Sequence, residues 1–468
     1  MADHPRKPSL VMKFGGTSVA DEKAIRRVVD IVRDARDRTE APPIVVVSAM
    51  SGVTDDLLRL AHRASRGEPP AEASEADALR RRHLEAAEAL AASDAKPALI
   101  AEIETVFAEL CAILTAFSVL REASPRSLDA VAATGELVSS RVVTAALSRS
   151  GVDAAWIDAR RAIVTDDAFG GAAPLESETL AALRREIAPR IAAGRAAVVG
   201  GYVGATRDRV TTTLGRGGSD YSASIIGAAL GAPEIQIWTD VDGMLTADPR
   251  LVENPQVVPH LSFAEASELA YFGAKVLHPS TILPAVAAGV PVRILNSQKP
   301  GGAGTRIGEM SGEPRRAVSA LACKRRVTVV DVTSTRMLMA HRFLRRLFEV
   351  FERYRTAVDV VTTSEVSVSV TIDDDRRLEE IVAAIREFAE VSVEREMAIL
   401  CAVGEGLRAD PRLAAEMLAE LTGLPLRMVS QAASRRNLTV VLHDRDLPEA
   451  MSRLHEREFR QPAPTVSR

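Results

Sequence analysis

The sequence predicts an α/β protein: a parallel-rich sheet between helices, followed by two smaller α+β units of βαββαβ type. Three observations carry this reading. Short apolar strands repeatedly end in polar or glycine loops that open into helices, the pattern of a parallel sheet with ligands at the carboxyl ends of its strands. A Gly/Pro-rich segment, residues 299–304, separates that pattern from the rest. Beyond it a strand–helix–strand–strand–helix run is followed by a weaker copy of itself.

The 468 residues suffice for two or three domains with real cores. A net charge of −4 gives no electrostatic case for a nucleic-acid or anionic-membrane partner, and neither is expected. The basic runs 80–82 and 324–326 read as solvated faces. Three distant cysteines, Cys111, Cys323 and Cys401, argue against a disulfide scaffold and against a zinc site. Residues 1–10 lack the apolar core of a signal peptide. No apolar run reads as long enough to span a bilayer. A soluble protein of the cytoplasm is the expectation.

In order, residues 10–13 form the first strand and run into Phe14-Gly15-Gly16-Thr17-Ser18-Val19, with a helix over 22–36. The β-branched strand 44–47 ends in the small-residue loop 48–54. Between 67 and 124 apolar residues recur at helical spacing (Ile103, Val106, Phe107, Leu110, Ile113, Leu114), which predicts two long helices. The stretch 134–140 is placed at a helix start, where Glu136 would alternatively serve to charge that start. Strands follow at 152–157 and 197–199, the second opening into Gly200-Gly201-Tyr202-Val203-Gly204.

Residues 211–223 are the centre of the pattern. Gly215, Gly217 and Gly218 let backbone amides approach a ligand closely, beside Arg216, the hydroxyls of Thr213 and Ser219, and the carboxylate of Asp220. A helix over 222–230 begins just after, and its N-terminus favours anions. One loop thus offers a clamp for a carboxylate or phosphate and a separate acid for an ammonium or Mg²⁺. Strand 234–238 leads to the loop 239–243. A helix after 248–250 is expected to hold Phe272-Gly273-Ala274-Lys275-Val276-Leu277-His278-Pro279. Strands 291–295 and 304–307 close the first unit. The tail reads as strand 327–332, helix 339–353 with the stripe Phe343, Leu344, Leu347, Phe348, Phe351, strands 357–361 and 366–372, and helix 378–388. The copy runs 398–403, 412–421, 426–430, 437–442 and 447–454, with Val361-Thr362 and Val429-Ser430 in equivalent places.

Lys13-Phe14-Gly15-Gly16-Thr17-Ser18, the 211–223 stretch and Phe272–Pro279 together resemble aspartate kinase over essentially the whole chain. The resemblance implies an amino-acid-kinase fold over 1–308 and two ferredoxin-like ACT domains over 309–395 and 396–468, with strands exchanged between the two. It implies a monofunctional enzyme that uses ATP and Mg²⁺ to phosphorylate the β-carboxylate of L-aspartate, the first step towards lysine, threonine and methionine (or ectoine). It also implies a homo-oligomer, dimer or tetramer, paired through the ACT domains.

The same resemblance distributes roles. Lys13 would neutralise the transferred phosphate, Gly15 and Gly16 would bring backbone amides to the phosphates, and Ser48 and Thr54 would be aspartate and metal-side contacts. Arg216 would clamp the α-carboxylate, a task suited to a planar guanidinium. Glu136 and Asp220 would receive the α-ammonium, Asp220 also organising Mg²⁺, with Ser219 and Tyr202 completing the wall. Thr239, Asp240, Asp248, Arg250, Lys275 and Val276 match ATP-binding positions; Asp240 and Asp248 also read as turn residues. Leu245 stands where many members carry an aromatic near the adenine. No P-loop motif is present. His278 is expected to be structural.

In the tail, Met337, Phe343, Leu344, Val358, Asp359, Thr363, Ser364, Glu365 and Val366 match the effector segment of lysine-sensitive aspartate kinases. Ala340 and Arg342 depart from the family's serine and glycine. Lysine inhibition is therefore expected to be weakened, lost or transferred to another effector. Two competing readings remain open: a kinase with another carboxylate acceptor, against which the Arg216, Glu136 and Asp220 set speaks, and a non-catalytic amino-acid sensor, against which Lys13 and Asp220 speak.

Overall fold

The structure, a computed structural model, describes residues 10–39, 41–68, 74–273, 277–309, 316–333, 342–407, 410–431 and 436–460. It divides into two compact units, Met1–Met244 with Leu277–Glu309, and Leu245–Val276 with Met310–Arg468.

The first unit is built on strands β1 (Val11–Phe14), β2 (Ile44–Val47), β3 (Ala154–Ile157), β4 (Ala196–Gly200), β7 (Ile235–Thr239), β9 (Val292–Asn296) and β10 (Thr305–Ile307). They are ordered β3-β4-β2-β1-β7-β9-β10. All neighbours are parallel except β9 and β10. Strands buried on both faces need continuous β-branched runs rather than alternation, and Ile44-Val45-Val46-Val47 is fully buried. A small hairpin, β5 (Val203–Ala205) with β6 (Thr211–Thr213), stands apart from the main sheet.

Helices α1 (Glu22–Thr39), α2 (Val53–Ser65), α3 (Ser74–Leu90), α4 (Lys96–Leu120) and α5 (Pro125–Arg149) share one core with β1, β2 and β4. Contrary to the sequence expectation, α4 and α5 are long and apolar enough to match a bilayer span by length and hydropathy. α5 is buried along nearly its whole length, and α4 through the face Leu99, Ile103, Phe107, Leu110, Leu114 and Phe117. Short helices α6 (Ala159–Ala162), α7 (Glu176–Glu186), α8 (Ala188–Ala192), α9 (Gly218–Leu230) and α11 (Leu283–Ala287) complete the unit.

The second unit holds β8 (His260–Leu261), α10 (Phe263–Tyr271) and one six-stranded antiparallel sheet. Its strands are β11 (Ala320–Thr333), β12 (Val361–Thr363), β13 (Ser367–Ile372), β14 (Glu390–Val403), β15 (Leu426–Gln431) and β16 (Asn437–His443), ordered β12-β13-β11-β14-β16-β15. α12 (Phe343–Arg353) and α13 (Leu378–Arg386) cover one half, and α14 (Pro411–Glu420) and α15 (Leu447–Phe459) the other. The repeat seen in the sequence is visible here, with the matched pairs Val361-Thr362 and Val429-Ser430 on the two edge strands.

Both halves share β11 and β14, which pair along their length with register shifts around Lys324–Val329. Arg326 and Glu396 lie there in the left-handed region, at φ 55° each. Leu245–Val276 joins this unit through hydrogen bonds from Leu321 N to Thr246 O (2.8 Å), Ser319 Oγ to Glu265 Oε1 (2.6 Å) and Asn437 Nδ2 to Glu268 Oε2 (2.8 Å).

Several elements differ from expectation. α5 starts at Pro125 behind the N-cap Ser124, so Glu136 lies mid-helix and is no helix-start charge. α9 begins at Gly218, four residues early, which places Ser219 and Asp220 in its first turn. α10 ends at Tyr271, so Phe272 and Gly273 lie beyond the helix and His278 precedes a short 3₁₀ turn. The strand expected at 357–361 falls at Val361–Thr363.

Candidate active site

The loops after β4, β2, β1 and β7 leave the same edge of four adjacent strands, where a cleft of about 670 Å³ opens within the first unit. It gathers Lys13, Gly15, Gly16, Ser48, Thr54, Glu136, Tyr202, Arg216, Ser219, Asp220, Thr239 and Asp240, all anticipated from sequence.

Lys13, the third residue of β1, places Nζ 2.7 Å from Asp220 Oδ1 in the first turn of α9, with the two side chains only 11% and 14% exposed. Helices α2 and α9 both aim their N-termini at this cleft. Both begin behind left-handed glycines, Gly52 (φ 79°) and Gly217 (φ 72°), and neither has a side-chain cap. The leading amides, Val53 N and Gly218 N, are taken by Met50 O and Gly215 O at 3.0 Å each, which leaves the next amides of each first turn to a ligand, the arrangement that favours anions. Glycine at Gly135 has a different reason: a Cβ there would lie 2.6 Å from the Ala49 Cβ. That close approach seats α5 against the loop after β2, and Ser139 Oγ donates to Ser48 O at 2.8 Å.

The electrostatics divide the cleft. Glu136 is 3% exposed and its Oε2 has no hydrogen-bond partner. Burial pushes its carboxyl up to about 8, against a backbone hydrogen bond from Ala49 that favours the charged form. Arg216 is exposed and, among the described residues, has no ion-pair partner. Tyr202 sits at φ 66°, its amide donating to Ser222 Oγ at 3.0 Å. Burial raises its phenol, a shift the neighbouring Thr213 side chain opposes. A buried unpaired acid, a free guanidinium and a Lys–Asp pair can receive one ammonium, one carboxylate and one phosphoryl group.

On the remaining predicted positions, Thr239 Oγ1 donates to Asp240 Oδ1 at 3.1 Å, and Thr239 O is held by Ser297. In the second unit Leu245 bridges to Val257, and Asp248 caps its own turn through the Arg250 amide and pairs with the Arg250 guanidinium. Lys275, Val276, Met337 and Ala340 lie outside the described residues. Phe343 is core, whereas Leu344 and Arg342 are exposed. Thr363–Val366 forms the β12–β13 turn, where Ser364 Oγ accepts from Ser367 N. Asp359 is buried against Lys324 Nζ at 2.6 Å, and that lysine also reaches Asp373 and the Tyr271 ring.

Sequence reasoning missed two residues. Arg82, read as part of a solvated run, instead donates to Ser51 O (2.9 Å) and Ala20 O (2.8 Å), tying the loops after β1 and β2 to α3. Asp129, on α5, anchors Gly170 and Thr213.

Fold and cleft are those of a kinase acting on a small amino acid. The family model for the "Amino acid kinase family" matches residues 8–296, and an ACT domain model matches 400–457. The chain is 35% identical to Lysine-sensitive aspartokinase 3 of Escherichia coli (strain K12), over 96% of this chain and 99% of that one. It is also 35% identical to the chloroplastic Aspartokinase 3 of Arabidopsis thaliana, over 97% and 82%. Its structure is similar to that of E. coli aspartokinase III in complex with aspartate and ADP (R-state), with a TM-score of 0.81 at 34% identity, covering 96% of this chain and 99% of the other. The chain belongs to the amino acid kinase family and, within it, to the aspartokinases.

Proposed function

We propose that this chain transfers the γ-phosphate of ATP to the β-carboxylate of L-aspartate, giving 4-phospho-L-aspartate. The observation that carries the reading is the Lys13–Asp220 pair beside a buried, unpaired Glu136 and a free Arg216 in one cleft. Phosphoryl transfer between anions needs positioning and charge neutralisation more than covalent help. Lys13 meets the transferred phosphoryl group, supported by the amide of Gly16; the Gly15 amide, expected to serve there too, is instead spent on Trp238 O at 3.0 Å, continuing the β1–β7 ladder. Arg216 takes the α-carboxylate and Glu136 the α-ammonium, which leaves the β-carboxylate to point towards Lys13. Thr239 and Asp240 stand on the nucleotide side.

No group of three or more metal-ligating side chains occurs among the described residues. Asp220 and Asp240 both line the cleft, and Mg²⁺ keeps waters and binds through one or two carboxylates plus substrate phosphates. Asp220 and Asp240 would hold it, and when bound it neutralises phosphate charge.

Trapping the acyl phosphate with hydroxylamine, in MgATP and L-aspartate, tests the activity. Hydroxamate is expected both with and without millimolar lysine, because Arg342, exposed at the start of α12, adds bulk and positive charge to the loop that the family resemblance sets opposite the 363–366 turn. Absence of product refutes the kinase; suppression by lysine refutes the reading of Arg342. The exposed apolar side chains Leu344, Phe348, Val361, Val393 and Val429 support a homo-oligomer joined through the second unit. Sedimentation of the full chain is expected to give a dimer or larger, and a monomer at micromolar concentration removes that reading.

A further inference from the structure

We infer that Asp129 is a positioning residue for the amino-acid half of the cleft, an assignment that rests on the aspartate-pocket reading above. Asp129 lies on α5, seven residues before Glu136, and is 3% exposed. Its carboxylate collects donors from two separate segments. Thr213 gives its amide at 3.0 Å and its hydroxyl at 2.7 Å. Gly170 shares its amide between the two oxygens, at 3.1 and 3.0 Å.

Each segment reaches the substrate side directly. Gly170 lines the cleft. Thr213 ends β6 three residues before Arg216 and pairs with Val203 across the hairpin, and the next amide, Leu214 N, donates to Tyr202 O at 2.8 Å. The two segments also touch, since a Cβ on Gly215 would lie 3.3 Å from Gly171 Cα. One buried carboxylate therefore sets the Gly170 turn, the tyrosine wall and the root of the Arg216 loop at once, on the helix that carries Glu136. Hydrogen bonds are directional, so they fix loop geometry better than apolar contact does.

Asp129→Asn tests this, because the amide keeps the shape but turns one acceptor into a donor facing donors. In the hydroxamate assay on the full chain, the KM for L-aspartate is expected to rise about tenfold, with kcat and the KM for MgATP within about twofold of wild type. Thr213→Val, which keeps the amide and removes the hydroxyl, is expected to give a rise of about threefold with the same split. It carries the decision if Asp129→Asn does not fold. An aspartate KM within twofold of wild type overturns the assignment. So does a parallel rise in both KM values with a falling melting temperature, the mark of a merely structural carboxylate. A wild type that yields no hydroxamate removes the pocket reading itself, and is told apart because it fails before any variant is compared.

Discussion

Lys13→Ala is expected to lower kcat for aspartyl phosphate formation by about 10³-fold or more, with the protein still folded. Charge on the transferring phosphoryl group is met by fixed cations and donors, and removal of one such group commonly costs two to three orders of magnitude. Here the ammonium is held 2.7 Å from Asp220 at the base of the cleft, so it is positioned before substrate arrives. Its loss leaves the mostly buried Asp220 without its cation, a stability cost of about 2 kcal/mol. Calorimetry beside the rate measurement separates the two effects. A folded variant with kcat within tenfold of wild type removes Lys13 from the chemistry.

Glu136→Gln is expected to raise the KM for L-aspartate about 100-fold, since a buried charge pair with the α-ammonium is lost. The pH dependence is more diagnostic. In the free protein burial holds the Glu136 carboxyl up at about 8, whereas an arriving ammonium requires the carboxylate. Wild-type kcat/KM for aspartate should therefore climb with pH and level off above about 8, and the variant should lack that limb. The stability effect runs the other way. A carboxyl whose folded value is raised contributes stability that is fully present below its ordinary range and lost as pH rises through 8. Free Glu136→Gln protein should then melt above the wild type at pH 9. A wild-type profile flat between pH 6 and 9 would sink this assignment.

Most of the cleft was readable because its parts are local. Four polar, glycine or small-residue loops each follow a short, largely buried strand, and parallel strands deliver such loops to one edge. What escaped was tertiary. Asp129 finds its donors 41 and 84 residues away, and Arg82 its carbonyls 31 and 62 away, so neither stands in a motif. Two boundary errors did have local signals. Ser124-Pro125 is an N-cap followed by a first-turn proline and marks the true start of α5. Gly273, at φ 114°, marks the stop after α10, where a continuous helix was expected. The early start of α9 had only Gly217 to announce it, with no side-chain cap to read.

The shared strands β11 and β14 bear on how the tail can be dissected. Ala320–Thr333 and Glu390–Val403 each run through both halves, and the left-handed Arg326 and Glu396 bend them without breaking them. A truncation at 395 removes the centre of the sheet from one half and leaves raw, unpaired edges on both, a template for aggregation. A protease nick in either strand would do the same damage to the two sides together. Fragment studies of regulation on this chain need both halves on one polypeptide.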